Sequence, residues 1–415
     1  LDPLARLRAQ PWSALAGLAP VAAEALSLVL AGTPAERVLD RTLRDHRHLS
    51  LEQRQALKET VFNVGLWRRR LGYLLGRTDA PASLLLYALL QGLAGVPPAE
   101  AATLAGVGTP SELAAGEPPS LALRASLPDW LAHHFAQEWG PEAEDFCAHL
   151  NVPGPITLRV NTLLTSREAL AQRLLAEGVE TRPGSWSPLA LHVEGSRPNL
   201  YGLPPLQQGL CEVQDEGSQL LGALVEARPG ETVLDLCAGA GGKTLQLGAS
   251  LANRGRLLAY DPDAERLDRL MRRCTRAALV NFHVLRAPPT GLSVDRVLVD
   301  VPCSELGSLR RGPDQRFLKA PTILSEFVPL QRQLLDQAAG LVRPGGRVVY
   351  GTCTVNRAEN QELVAGFLRQ RPDFRLLPPG DGWLPPECIQ EGFLLSAPHR
   401  HGTDAFFAAV LERSG

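Results

Sequence analysis

Two cysteines stand where covalent chemistry could be done. Cys303 lies in Asp300-Val301-Pro302-Cys303-Ser304, after the apolar run Val297-Leu298-Val299. Cys353 lies in Thr352-Cys353-Thr354, after Val348-Val349-Tyr350. Upstream, the glycine-rich stretch Asp235-Leu236-Cys237-Ala238-Gly239-Ala240-Gly241-Gly242-Lys243-Thr244 follows another β-type run. Two thiols at strand ends, with a loop able to hold a nucleotide-like cofactor, suit covalent attack on an electrophilic ring. An unperturbed cysteine has a pKa of about 8.5, so a nucleophilic thiol needs a helix N-terminus or a nearby cation. Lys243 is the candidate cation. The competing interpretation makes both cysteines small buried hydrophobes, the commoner fate of a lone cysteine; that interpretation suits Cys237 and Cys274.

The glycine loop turns from strand to helix, and glycine there permits positive φ and close backbone approach. A P-loop would need glycine at position 237, where the chain has Cys237. The dinucleotide fingerprint fails as well, because Thr244 occupies the place of its third glycine. What remains is the strand–turn–helix loop that cups S-adenosylmethionine. Asp261 ends the next predicted strand, where a carboxylate can accept bonds from ribose hydroxyls. Capping of the helix starting near Pro262 is its bland alternative.

These residues need elements to position them. From Gln207 onward, predicted strands (Thr232–Leu236, Arg256–Tyr260, Phe282–Leu285, Arg296–Asp300, Gly346–Tyr350, Ala405–Leu411) alternate with helices, notably Ala264–Ala277 and Pro329–Leu341. Such alternation predicts a parallel sheet covered by helices, with ligands at the carboxyl ends of the strands. Residues 121–205 read as a small α+β module, with strands at Ile156–Val160 and Leu189–Val193 and a helix over Ser166–Glu177. Residues 1–106 read as helical, with apolar residues at three- and four-residue spacing. Ser50 and Gln53 form a candidate capping box. Residues 107–120 are rich in Gly, Pro, Ser and Ala and read as a linker. The expected fold is therefore α/β: a Rossmann-like catalytic domain over 206–415, the module before it, and an all-helical N-terminal domain.

Composition narrows the class. A chain of 415 residues with 45% hydrophobic content supports two or three domains. The apolar stretch Ala14 to Ala31 is interrupted by Glu24, so an amphipathic helix fits better than a signal peptide, and no membrane span is expected. The seven cysteines include no C-x-x-C pair and no Cys/His ligand cluster, so no metal is expected. Working thiols need a reducing compartment, which points to the cytoplasm. Net charge is −2, against a global nucleic-acid field, yet nine Lys/Arg and four acids lie between Arg37 and Arg70. A second basic cluster is Arg310, Arg311, Arg316 and Lys319. Both clusters fit local phosphate contacts; solvated helix faces are the alternative for the first.

With these motifs in view, the chain resembles the RNA 5-methylcytosine methyltransferases, the Fmu/Sun and NOP2/NSUN family. Arg159-Val160-Asn161-Thr162, Gln214-Asp215-Glu216-Gly217-Ser218, Leu309-Arg310-Arg311-Gly312-Pro313-Asp314, Glu359-Asn360 and Gly402-Thr403-Asp404-Ala405-Phe406-Phe407 extend the likeness over nearly the whole chain. The resemblance implies S-adenosylmethionine as cofactor and ribosomal RNA as first-choice partner, with transfer RNA second. It implies a monomer with a NusB-like RNA-binding domain at the N-terminus. It makes Cys353 the nucleophile that adds to carbon 6 of cytosine, Cys303 the thiol that helps release the product, and Asp300 the residue facing ring nitrogen 3. Cofactor contacts would come from Cys237, Ala238, Gly239, Ala240, Gly241, Gly242, Lys243, Asp261, Arg266 and Asp300. Three departures stand out. Ala287 replaces an Asp that reaches the adenine, Glu305 replaces a small residue after Pro-Cys-Ser, and the helical domain is abbreviated. They motivate a rival interpretation, a catalytically degenerate RNA-binding or assembly protein. Intact Lys243, Asp261, Asp300, Cys303 and Cys353 speak against it.

Overall fold

The computed structural model describes residues 2–109, 112–195, 199–312, 314–379 and 384–415. Pro313 of the basic segment and residues 110 and 111 of the expected linker lie outside them. The chain divides into two units. One comprises Leu1–Pro153 with Leu309–Pro321, the other Gly154–Ser308 with Thr322–Gly415. This division falls at 153, whereas the sequence suggested boundaries at 106, 120 and 205.

The first unit is helical. Its principal helices are Ala19–Leu30, Ala35–Asp45, Leu51–Leu74, Ala82–Ala88, Pro98–Ala105, Asp129–Trp139 and Ala143–Leu150. The longest of these opens on the expected capping box: Ser50 Oγ accepts from the Gln53 amide at 3.2 Å and Gln53 Oε1 accepts from the Ser50 amide at 3.1 Å. Trp67, Leu71, Leu86 and Tyr87 fill the centre of its core. The segment 309–321 packs within this unit. Asp314 Oδ2 accepts from the Ala35 amide at 3.0 Å, satisfying an orphan donor at a helix start.

The second unit holds two sheets. The smaller is antiparallel, in the order β2-β3-β1-β4, built from Thr157–Val160 (β1), Thr181–Pro183 (β2), Ala190–Val193 (β3) and Cys211–Val213 (β4). The larger contains Thr232–Asp235 (β5), Arg256–Tyr260 (β6), Phe282–Leu285 (β7), Val294–Asp300 (β8), Val342–Thr352 (β9), Phe374–Leu377 (β10), Ile389–Gln390 (β11), Phe393–Leu395 (β12) and Phe407–Arg413 (β13). Its order is β11-β12-β13-β9-β8-β5-β6-β7, with β10 also on β13. Strands β5 to β9 run parallel, and the apolar runs of β5, β6, β8 and β9 are buried on both faces, as such strands require, while β7 at the edge is only partly covered. The final strand departs from the parallel expectation: β13 pairs antiparallel with β9. It is reached through the short hairpin of β11 and β12 rather than through a helical crossover.

The chain leaves β5 toward β6 and β7, then returns to place β8 on the other side of β5. That reversal opens a crevice at the carboxyl ends of β5 and β8, where open α/β sheets bind ligands. Gly351 lets a helix approach this sheet, since a Cβ there would lie 2.5 Å from Leu221 Cδ1.

Candidate active site

The loop between β5 and the helix Gly242–Ser250 is shaped by its backbone. Gly241 has φ +95°, and a Cβ on it would lie 2.2 Å from Leu270 Cδ1, so only glycine fits. The loop is held from outside by two arginines. Arg159 is buried and donates to the Gly242 carbonyl at 2.6 Å and to Gln214, and Arg273 donates to the Ala240 carbonyl. Burial draws the Arg159 pKa down to about 10, which leaves it cationic near neutrality.

Asp261 is buried at the end of β6. Its Oδ2 accepts from the Gly239 amide at 2.9 Å and its Oδ1 from the Asp263 amide at 2.9 Å. Capping does not explain it, because the N-cap of the following helix is Asp263. Asp235 is buried with Oδ2 accepting from Thr244 Oγ1 at 2.7 Å, and its Oδ1 has no partner among the described residues. Burial pushes that carboxyl up to about 7. A glycine cradle with two buried carboxylates, one carrying an orphan oxygen, fits a ligand that combines a ribose with cationic groups. Ala238 is buried, Ala240 is exposed, and Cys237 is half-buried with its pKa raised by burial and the surrounding carboxylates. Arg266 lies apart, exposed and paired with Asp263 at 3.4 Å.

The two thiols come together. Cys303 follows β8, Cys353 follows β9, and their sulfurs lie 3.4 Å apart. Cys303 is 6% exposed while Cys353 is half-buried and the more accessible. Its hydrogen bond to Cys353, and then burial, raise the Cys303 pKa well above that of an ordinary thiol. Cys303 therefore keeps its proton and can donate it in a hydrogen bond to the Cys353 sulfur. Lys243 Nζ donates to Asp300 Oδ2 at 2.6 Å and lies 5.5 Å from the centre of the Phe406 ring. Burial opposes the charge on Lys243, but Asp300, with Cys353 and Asp235, outweighs it and raises the pKa. The ammonium thus persists as a charge within the electrostatic reach of Cys353.

A residue with no role assigned from sequence joins the two thiol loops. Glu359 is wholly buried. Its carboxylate accepts from the Ser304 amide at 3.0 Å, from Ser304 Oγ, from Gln331 Nε2 at 2.7 Å and from Asn356 Nδ2 at 2.9 Å. Ser304 Oγ also meets Thr354 Oγ1 at 2.7 Å, and Asn360 bridges Thr352 and the Thr354 carbonyl. The pattern Thr-Cys followed by Glu-Asn was the visible signal, but nothing in it says that the glutamate faces inward. Arg159 was missed in the same way, as a motif residue without an assigned contact.

The departures have structural consequences. Ala287 follows β7 and offers no carboxylate. Glu305 takes φ +57°, the left-handed region where glycine is at ease and a residue with a Cβ is not. Glu305→Gly is expected to raise the melting temperature slightly, by roughly 1–3 °C, without lowering activity. Calorimetry on the two proteins checks this, and a fall in melting temperature would show that the left-handed backbone carries no strain.

The basic segment needs correction as a phosphate patch at Arg310 and Arg316. Arg316 is buried and donates to Asn151 Oδ1 at 2.7 Å and to the carbonyls of Leu150 and Ala125. Arg310 is buried too. In the first cluster Arg69 forms a two-pronged pair with Asp129 and also donates to the Leu127 carbonyl. These arginines build the helical unit.

The family model "16S rRNA methyltransferase RsmB/F" matches residues 223–412, and the ferredoxin-like domain of RsmF/B-like methyltransferases matches 127–198. The probable ribosomal RNA small subunit methyltransferase B of Synechocystis is 36% identical over 71% of this chain and 68% of its own length. The ribosomal RNA small subunit methyltransferase B of Xylella fastidiosa is 36% identical over 71% of this chain and 70% of its own. A methyltransferase homolog protein from Pyrococcus horikoshii matches with TM-score 0.61 and 26% identity over 72% of this chain and all of that one. Among the described residues no helix is long and apolar enough to cross a membrane, and no cluster of potential metal ligands is found. The chain belongs to the RsmB/F family of S-adenosylmethionine-dependent methyltransferases, the Fmu/Sun and NOP2 group.

Proposed function

We propose that the chain methylates carbon 5 of a cytosine in RNA, through a covalent adduct between Cys353 and carbon 6. Small-subunit ribosomal RNA, the substrate named for its relatives, is the first candidate. The observation that carries this reading is the 3.4 Å approach of two thiols at neighbouring strand ends. One thiol would serve a simple acid–base role; two in contact, one accessible and one held protonated, suit a reaction that must both form and release a carbon–sulfur bond.

Carbon 5 of cytosine is a poor nucleophile. Addition of the Cys353 thiolate to carbon 6 moves electron density to carbon 5. Lys243 stabilises the thiolate before attack, and the Cys303 S–H supplies a hydrogen bond to the same sulfur. Asp300, held by Lys243, is assigned to the nitrogen 3 and amino edge of the ring. When bound, S-adenosylmethionine supplies the electrophilic methyl group. The glycine loop, Asp261 and Asp235 are the residues that would hold it. A solvent water takes the carbon 5 proton, the electrons of that bond restore the carbon 5–carbon 6 double bond, and the Cys353 sulfur leaves as a thiolate that the Cys303 S–H stabilises by its hydrogen bond. A stacked base hides carbon 6, so the target must be unpaired or flipped out.

The purified protein, given S-adenosylmethionine and small-subunit ribosomal RNA, is expected to protect a discrete cytosine from bisulfite conversion. Methyl incorporation with every cytosine still converted would overturn the carbon 5 assignment. Absence of any incorporation, on naked RNA and on assembling particles, would leave only the degenerate reading.

A further inference from the structure

The helical unit contains a cleft of about 1460 Å³, larger than the ~300–1,000 Å³ usual for a small-molecule site. Tyr73, Trp130 and Phe317 line it, together with Arg68, Arg77 and Lys319. All three aromatic side chains are only half-buried. Tyr73 also packs against the core of the helical unit, and all three rings keep part of their surface open at the cleft. The Arg68 guanidinium lies 3.7 Å from the centre of the Phe317 ring, forming a flat cation–π platform before any ligand arrives.

The walls are built to hold this arrangement. Glycine is a poorer helix former than alanine, yet Gly72 sits in the last turn of Leu51–Leu74. A Cβ there would lie 2.6 Å from the Arg77 carbonyl oxygen. Gly76 has φ +63°, and the Arg77 amide donates to the Gly72 carbonyl at 2.9 Å. The two glycines thus fold the chain back tightly and set the backbone of Arg77, whose side chain stays half-exposed with a loose 3.8 Å contact to Asp79. On the opposite wall the Arg69–Asp129 pair fixes the start of the helix that carries Trp130.

We infer that this cleft takes a short run of unpaired nucleotides of the RNA substrate. Its bases would stack on Trp130, Tyr73 and the Arg68–Phe317 pair, and its phosphates would meet Arg77 and Lys319. Stacking platforms beside cationic side chains are what single strands need, because every base offers a π-face. A duplex keeps those faces covered and offers mainly phosphates and sugars. The inference rests on the RNA reading above and adds a second contact region, away from the reacting cytosine.

The test uses the full-length protein with a labelled single-stranded RNA oligonucleotide and its matching duplex, followed by fluorescence anisotropy. Trp130→Ala is expected to weaken single-strand binding roughly tenfold, the order of one base–aromatic stack, and to leave duplex binding unchanged. Trp130→Phe should restore most of the affinity. Arg77→Gln with Lys319→Gln should flatten the salt dependence by about 0.7 for each phosphate no longer neutralised. Calorimetric titration with S-adenosylmethionine should be unchanged in every variant; a variant that loses this binding is replaced by the Arg77 and Lys319 pair. Single-strand affinity unmoved by all these changes overturns the inference, as does an equal loss for single strand and duplex, or recovery of a protein rather than RNA as the occupant in crosslinking at Trp130. A wild-type protein that methylates cytosine while its cleft variants bind normally sinks this inference alone. Failure of the wild type to methylate any RNA sinks the functional reading with it.

Discussion

Cys353→Ala is expected to lower methyl transfer by at least about 10⁴-fold, the scale on which loss of a covalent nucleophile is felt. Cys303→Ala is expected to do something different, leaving attack intact and accumulating a protein–RNA adduct stable to denaturing electrophoresis. The asymmetry follows from the two environments. Cys353 is the more accessible sulfur and sits among the charges that act on Lys243. Cys303 is almost fully covered, and its proton is held by the contact with Cys353 and by burial. A sulfur that resists ionisation is a poor first nucleophile but a good neighbour for one. Removing it should slow the step in which carbon 5 loses its proton and Cys353 departs, so the adduct persists. If the adduct instead accumulates with Cys353→Ala, the roles are exchanged, and the Pro-Cys thiol attacks. If neither variant changes transfer, the 3.4 Å approach of the sulfurs has no catalytic meaning.

Much of this site was legible because its pieces are local. Asp300 and Thr352 end strands marked by short apolar runs, and the glycine loop sits between a β-type run and a helix, so the cysteines and the cradle were found by strand–turn logic. The contact between the sulfurs was not legible. It depends on β8 and β9 lying side by side, a pairing between segments separated by the helix Val328–Leu341. The basic cluster misled for the opposite reason. Arg316 reads as a surface charge beside Arg310 and Arg311, but its partner Asn151 lies 165 positions earlier, and only tertiary folding turns the guanidinium inward. The short strands β10, β11 and β12 were missed because two to four residues carry too little periodicity to register. Their presence explains why β13 enters antiparallel, which alternation of strands and helices could not indicate.

Glu359 depends on tertiary placement in the same way. An acidic residue just before the helix Gln361–Gln370 would ordinarily be assigned to a favourable helix dipole at the surface. Here it is enclosed and serves four donors from three parts of the chain: the Ser304 loop, Gln331 and Asn356. Glu359→Ala leaves these donors without an acceptor, at about 1–3 kcal/mol for each one that stays dry, so a total near 3–5 kcal/mol is expected. Chemical denaturation measures that loss. Such a fall alone would mark Glu359 only as structural, so Glu359→Gln is the sharper variant. The amide keeps the shape and one acceptor oxygen but turns an N–H toward donors, which should shift the Ser304 loop and with it Cys303. Transfer is then expected to fall about 10- to 100-fold at saturating S-adenosylmethionine, with cofactor affinity unchanged and adduct accumulating as in Cys303→Ala. This combination is specific to a residue that positions the releasing thiol. If Glu359→Gln lowers stability while the adduct fraction stays at the wild-type level, the carboxylate supports the fold and does not set the spacing of the two sulfurs.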